Sequence, residues 1–112
     1  MESVEFNAND WTGRIYTVKY RTLKDGTVKF NFRGDNYKII FTSNEDDMEP
    51  DWSSINGKCY SVGDSSPYPI ARVSKFGKDK YWTATDDDYI NGITRDHQNP
   101  VAAVCQILSN IM

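Results

Sequence analysis

The sequence predicts an α+β fold: a twisted, mostly antiparallel sheet of five or six strands with one C-terminal helix packed on one face. Three observations predict it. Residues 14–21, 27–33 and 37–42 alternate polar and apolar with a period of two. Asp25-Gly26 and Gly34-Asp35-Asn36 punctuate these runs as turns. Residues 99–112 repeat their apolar positions at helical spacing instead. A chain of 112 residues suits a single domain, residues 1–112, and can bury one core without metals or disulfides.

Each element has its own justification. A short strand is expected near Val4–Phe6, inside a polar opening segment. The three alternating runs then form a meander, because two-residue turns favour antiparallel neighbours. Their apolar positions are Tyr16, Val18, Tyr20, Val28, Phe30, Phe32, Tyr37, Ile39 and Phe41. Residues 43–57 read as a long loop rich in Ser, Asn and Asp that ends at Asn56-Gly57. Residues 58–62 are expected as a fourth strand. Pro67 and Pro69 place residues 63–69 in a loop. Residues 70–76 and 80–85 form a second hairpin around Gly77-Lys78-Asp79, and residues 86–99 read as a polar connection. Asn99 is a good N-cap, and Pro100 suits the first helical position. Val101, Val104, Cys105, Leu108, Ile111 and Met112 make one apolar stripe, with Gln106, Ser109 and Asn110 on the polar side. A helix this short is unstable alone, so it is expected to pack on the apolar sheet face.

Composition narrows the function. Aromatic residues make up 13% of the chain and can fill a core that has few aliphatics. The net charge of −3 argues against a general nucleic-acid coat protein and leaves room for a local basic patch. No run is long enough for a membrane span, and no signal peptide is visible, so a cytoplasmic protein without a membrane partner is expected. Cys59 and Cys105 are expected as reduced thiols, although a disulfide between them stays open.

Two charged surfaces stand out. If the three runs pair in order, Lys19, Arg21, Lys29, Arg33 and Lys38 project to the side opposite the apolar set, with Lys24 at a hairpin tip. Such a face could grip phosphates, or it could be an ordinary solvated surface that discourages edge aggregation. Tyr16, Tyr20, Phe30 and Phe32 belong to the core side and are poor candidates for base stacking. The second surface is an acidic loop in which Glu45, Asp46, Asp47, Glu49 and Asp51 flank Met48 and Trp52. Charges that steer an encounter beside an aromatic anchor suit protein docking.

Catalytic chemistry has little to stand on. His97 is the single histidine and Cys105 falls on the apolar helix stripe, so Cys59–His97 is the only Cys/His dyad available. The run from Asp86 to Gly92 invites a calcium-loop reading, but it lacks ligands at required positions whether counted from Asp86 or Asp87. No catalytic residue, metal ligand or cofactor is assigned.

The segment Tyr81-Trp82-Thr83-Ala84-Thr85-Asp86-Asp87-Asp88-Tyr89, continuing to Asn99-Pro100-Val101-Ala102-Ala103-Val104, resembles a pattern in small accessory proteins of tailed bacteriophages. There a Trp-x-Ala strand leads through an acidic turn to a closing helix. The resemblance implies a small phage protein in a bacterial cytoplasm that acts by binding a host factor. The first functional expectation is therefore a non-enzymatic interaction protein that binds and modulates or inhibits a host macromolecule, docking a host protein through Glu45, Asp46, Asp47, Glu49, Asp51 and Trp52. The second is a nucleic-acid binder using Lys19, Arg21, Lys29, Arg33 and Lys38. A third is a virion or structural component, and the oligomeric state stays open.

Overall fold

The computed structural model describes residues 2–7, 15–44, 48, 53–63, 68–77, 79–86, 93–97 and 99–111. Eight strands follow one another: β1 (Glu2–Asn7), β2 (Ile15–Thr22), β3 (Val28–Phe32), β4 (Asp35–Asn44), β5 (Ser54–Ser61), β6 (Ala71–Phe76), β7 (Trp82–Asp86) and β8 (Ile93–His97). Helix α1 (Pro100–Ile111) closes the order. The strands make one sheet in sequence order, and each pairs antiparallel with the next.

The expected mostly antiparallel sheet with one C-terminal helix is present, but eight strands replace the expected five or six. One strand, β8, lies where none is expected, and two others run longer than expected. Asn56-Gly57 is not the end of a loop. It lies inside β5, with Asn56 opposite Thr42 and Gly57 opposite Phe41. Residues 43–57 are therefore no continuous loop, because β4 runs on to Asn44 and β5 begins at Ser54. The expected polar connection contains β8, and His97 sits on that strand opposite Trp82 rather than in a loop.

Turn chemistry sets the β2–β3 and β3–β4 hairpins. Gly26 takes φ 90°, and its N–H donates to the Leu23 carbonyl at 3.0 Å. The Leu23 N–H donates to the Thr27 carbonyl at 2.8 Å, and the Thr27 N–H donates to Asp25 Oδ1 at 2.9 Å. That last bond holds the exposed Asp25 carboxyl below its ordinary pKa. The next turn has two consecutive residues at positive φ, Arg33 at 53° and Gly34 at 87°. This is the hairpin geometry whose twist matches the flanking strands.

One face of the sheet is the core. Val28, Ile39, Cys59 and Ala71 are successive cross-strand partners from β3 to β6, and all four are buried. Phe41, Gly57, Val73 and Ala84 form the adjoining row from β4 to β7. Phe30 stacks on its partner Tyr37 with ring centroids 5.5 Å apart. Phe41 meets Trp82 edge-on at 5.9 Å.

The helix packs against β6, β7 and β8 and also against β1. In a flat sheet, β1 and β8 would stand roughly 33 Å apart, given a strand spacing of ~4.8 Å. A single helix about 10 Å across touches both ends only if the sheet curls around it. The helix is consequently enclosed rather than laid on a face with a wet back. Every residue from Val101 to Leu108 is buried, including Ala102, Ala103, Ile107 and the expected polar-side residue Gln106. Its start is fixed as the sequence indicates. Asn99 Oδ1 accepts the Val101 N–H at 2.8 Å, while Asn99 Nδ2 donates to the Tyr20 hydroxyl of β2 at 3.1 Å.

Gly57 is a tight point in this packing. A Cβ there would stand 2.8 Å from Phe41 Cε1, 2.9 Å from Ile39 Cγ2 and 2.9 Å from Val73 Cγ1. Gly57→Ala is expected to cost about 1–3 kcal/mol through overpacking, read from the shift in denaturant midpoint.

Cys59 and Cys105 are both free and buried. Burial pushes the Cys59 thiol from 9.0 up to about 12. Burial, with Cys59 nearby, also raises Cys105. A thiol that stays protonated when folded, and ionises when unfolded, favours the unfolded chain once pH passes its ordinary value. Stability from these groups is therefore complete below about pH 9 and lost as pH climbs toward 12. Unfolding midpoints at pH 7 and pH 10 are expected to differ by roughly 1 kcal/mol per thiol, and a Cys59→Ala variant should lose less between the two.

Candidate functional site

The face opposite the helix carries the candidate site. On β2, Val18 is buried among the core residues, so Lys19 and Arg21 point the other way. The same alternation turns Lys29 of β3, Lys38 of β4, Lys58 of β5 and Arg72 of β6 to this outer face. The register then aligns them. Arg21 is opposite Lys29, Lys29 is opposite Lys38, and Lys38 is opposite Tyr60. In the next row Lys58 lies between Ile40 and Arg72, and Arg72 is opposite Thr85.

Like charges directly opposite one another destabilise a sheet. Here three cations occupy one row on consecutive strands. Within strands β2 to β7 no carboxylate projects from this face among the described residues; Glu5, opposite Thr17, lies out on β1, and Asp79 lies in the connection between β6 and β7. Local relief comes from Tyr60, whose ring centroid is 5.9 Å from Lys38 Nζ. Beside the row, Asn31 Nδ2 donates to Asn36 Oδ1 at 3.1 Å across β3 and β4.

Arg33 departs from the expected arrangement. It does not extend β3 but occupies the left-handed turn position, and its guanidinium swings to the core side. The guanidinium carbon lies 5.2 Å from the Phe32 ring centroid and 5.4 Å from that of Tyr16. Its Nη2 donates to the Tyr16 hydroxyl at 3.4 Å. Lys19, Arg21, Lys29 and Lys38 share the outer face without it. Glu45, Asp46, Asp47, Glu49, Asp51 and Trp52 lie outside the described residues, as do residues 87–92.

On the far side of this second row lies a cleft of about 400 Å³. Thr42, Asn56, Ser74 and Thr83 are successive partners along one side, and Lys58, Arg72 and Thr85 are partners along the other. The backbones of Gly57 and Val73 lie between, since their inward side faces Phe41. Asn56 Nδ2 donates to Ser54 Oγ at 3.1 Å. Thr85 is 7% exposed, and its Oγ1 has no hydrogen-bond partner among the described residues. An unpaired buried hydroxyl costs about 1–3 kcal/mol. Thr83 also borders a second depression, lined by Phe76, Asp79, Lys80 and Tyr81, in which both aromatic side chains are exposed.

Cys59–His97 offers no dyad chemistry. Cys59 is completely buried in the core row of β5, its thiol is held protonated, and β6 and β7 separate it from β8. Among the described residues no group of three His, Cys, Asp or Glu is placed to hold a metal ion, and no helix is long and apolar enough to cross a membrane.

Sequence reasoning missed Lys58, Tyr60 and Arg72. The signal was present, since each alternates with a buried neighbour, Cys59 or Ala71 and Val73. A long loop expected over residues 43–57 separates these strands from the three-strand meander in sequence, which hides the shared face. No family model, curated protein or solved structure matches the chain.

If the central row is electrostatically strained, Lys29→Gln should stabilise the free protein by about 0.2–1 kcal/mol at low salt. The gain should fade as added salt screens the row, which thermal unfolding at two ionic strengths would show.

Proposed function

We propose that this chain is a nucleic-acid-binding protein that grips phosphates with the outer face of its sheet and carries out no reaction of its own. The in-register row Arg21–Lys29–Lys38, with Lys58 and Arg72 paired in the adjoining row, is the observation that carries the reading. The row is unfavourable for the isolated sheet and favourable against a line of phosphates, because each contact releases condensed counterions. A chain with net charge −3 that concentrates six cations on one face separates its charge in space, which orients an approaching polyanion. Tyr60 beside Lys38 supplies a ring on the same face, as sequence-tolerant stacking requires. Such a protein would modulate host machinery by occupying the nucleic acid on which that machinery works, in keeping with the role that the phage resemblance implies. The acidic segment, outside the described residues, adds nothing to this reading.

Fluorescence anisotropy with a labelled single-stranded oligonucleotide tests it. Affinity should fall steeply with salt, with a logarithmic slope of about −0.7 per phosphate contacted. Replacing Lys29 and Lys38 by Gln should reduce the magnitude of that slope by about 1.4 and weaken binding to all sequences alike. Absence of binding at low salt would overturn the proposal.

A further inference from the structure

We propose that the cleft over β4–β7 is a binding site for one nucleotide, either free or as a unit of a single strand. The phosphate would lie on Lys58 and Arg72, and the sugar and base on the polar groups of Asn56, Ser74, Thr83 and Thr85. This rests on the proposed phosphate-binding face and assigns it a specific pocket.

Three observations converge there. The first is size: about 400 Å³ falls within the range of small-molecule sites and accommodates one nucleotide but no duplex. The second is chemistry. The lining combines two cations, one amide and four hydroxyls, with no carboxylate among the described residues. Cations suit phosphate, while an amide and hydroxyls suit the edges of a sugar and a base. The third is the orphaned Thr85 Oγ1. It is buried, it lines the cleft, and no described residue satisfies it. A buried polar atom without a partner commonly marks a place where another molecule completes the bonding.

The surroundings favour a nucleotide over a simpler anion. The row Arg21–Lys29–Lys38 approaches the cleft from one side, so a strand could cross the sheet with a phosphate at several steps. On the other side Thr83 is shared with the depression holding the exposed rings of Phe76 and Tyr81, where an adjacent base could stack. Tyr60, opposite Lys38 at the end of the cation row, lies two residues from Lys58 on the same strand.

Amide chemical shifts of the full chain, recorded with 5′-mononucleotides, the corresponding nucleosides and inorganic phosphate, test the inference. Mononucleotides at millimolar concentration should shift Asn56, Lys58, Arg72, Ser74, Thr83 and Thr85, and nucleosides should bind more weakly. Thr85→Val keeps the side-chain shape, removes the orphan hydroxyl, and should leave the melting temperature undiminished while weakening mononucleotide binding on the order of fivefold. If an oligonucleotide binds more tightly than the mononucleotide and is weakened equally by Thr85→Val, the site takes a unit of a strand. If mononucleotides bind and oligonucleotides do not, it takes a free nucleotide, and the nucleic-acid reading fails while this inference holds. If oligonucleotides bind with a steep salt slope, yet mononucleotides leave these amides unmoved and Thr85→Val changes nothing, the inference is overturned and the basic face survives it.

Discussion

Alternation of side chains across an unbroken antiparallel meander is the constraint on which the rest of this structure depends. Because the period is two, a slip of one residue in any pairing would send that strand's apolar set to the opposite side. The native register keeps Val28, Ile39, Cys59 and Ala71 together on one side. It therefore brings Arg21, Lys29 and Lys38 together on the other. The core and the basic row have one cause. Burial of the apolar row stabilises the sheet enough to hold cations at a separation they would not choose in solution.

Curvature is the second ingredient, and it comes from small residues on the inner side. Gly57 yields its volume to Phe41, Ile39 and Val73. Ala71 and Ala84 on neighbouring strands, and Ala102 and Ala103 on the helix, are likewise small and fully or nearly fully buried. Such positions let backbones approach closely where larger side chains would hold them apart. The sheet can then bring both its ends to one helix, and the cleft lies on the reverse of the Gly57 position.

Local chemistry was readable wherever one residue type decides the conformation. Asp25-Gly26 supplies its turn through glycine at positive φ, and Asn99-Pro100 starts the helix by capping. The alternation of β2, β3 and β4 was equally plain, and with it the outer placement of Lys19, Arg21, Lys29 and Lys38. What escaped was decided by tertiary context. Asn-Gly is a strong turn signal, but Gly57 is there for its missing side chain. Ile93-Thr94-Arg95-Asp96-His97 lacks an apolar alternation, so only its pairing with β7 makes it a strand. Arg33 continued the polar parity of β3 in sequence, yet the turn rotates it out of the pleat and onto Tyr16 and Phe32. The cleft depends on partners from four strands and could not be read from any one of them.

The position of the helix in chain order governs how this molecule assembles. All eight strands precede the element that fills their hollow. During synthesis the apolar lining of the curled sheet lacks its helix until residues 100–111 have left the ribosome, because among the described residues every strand precedes α1. Completion is then a late docking step between distant parts of the chain, with β1 and α1 at opposite ends of the sequence brought into contact last. A nascent chain stalled before that point would present an open trough to chaperones and to other copies of itself.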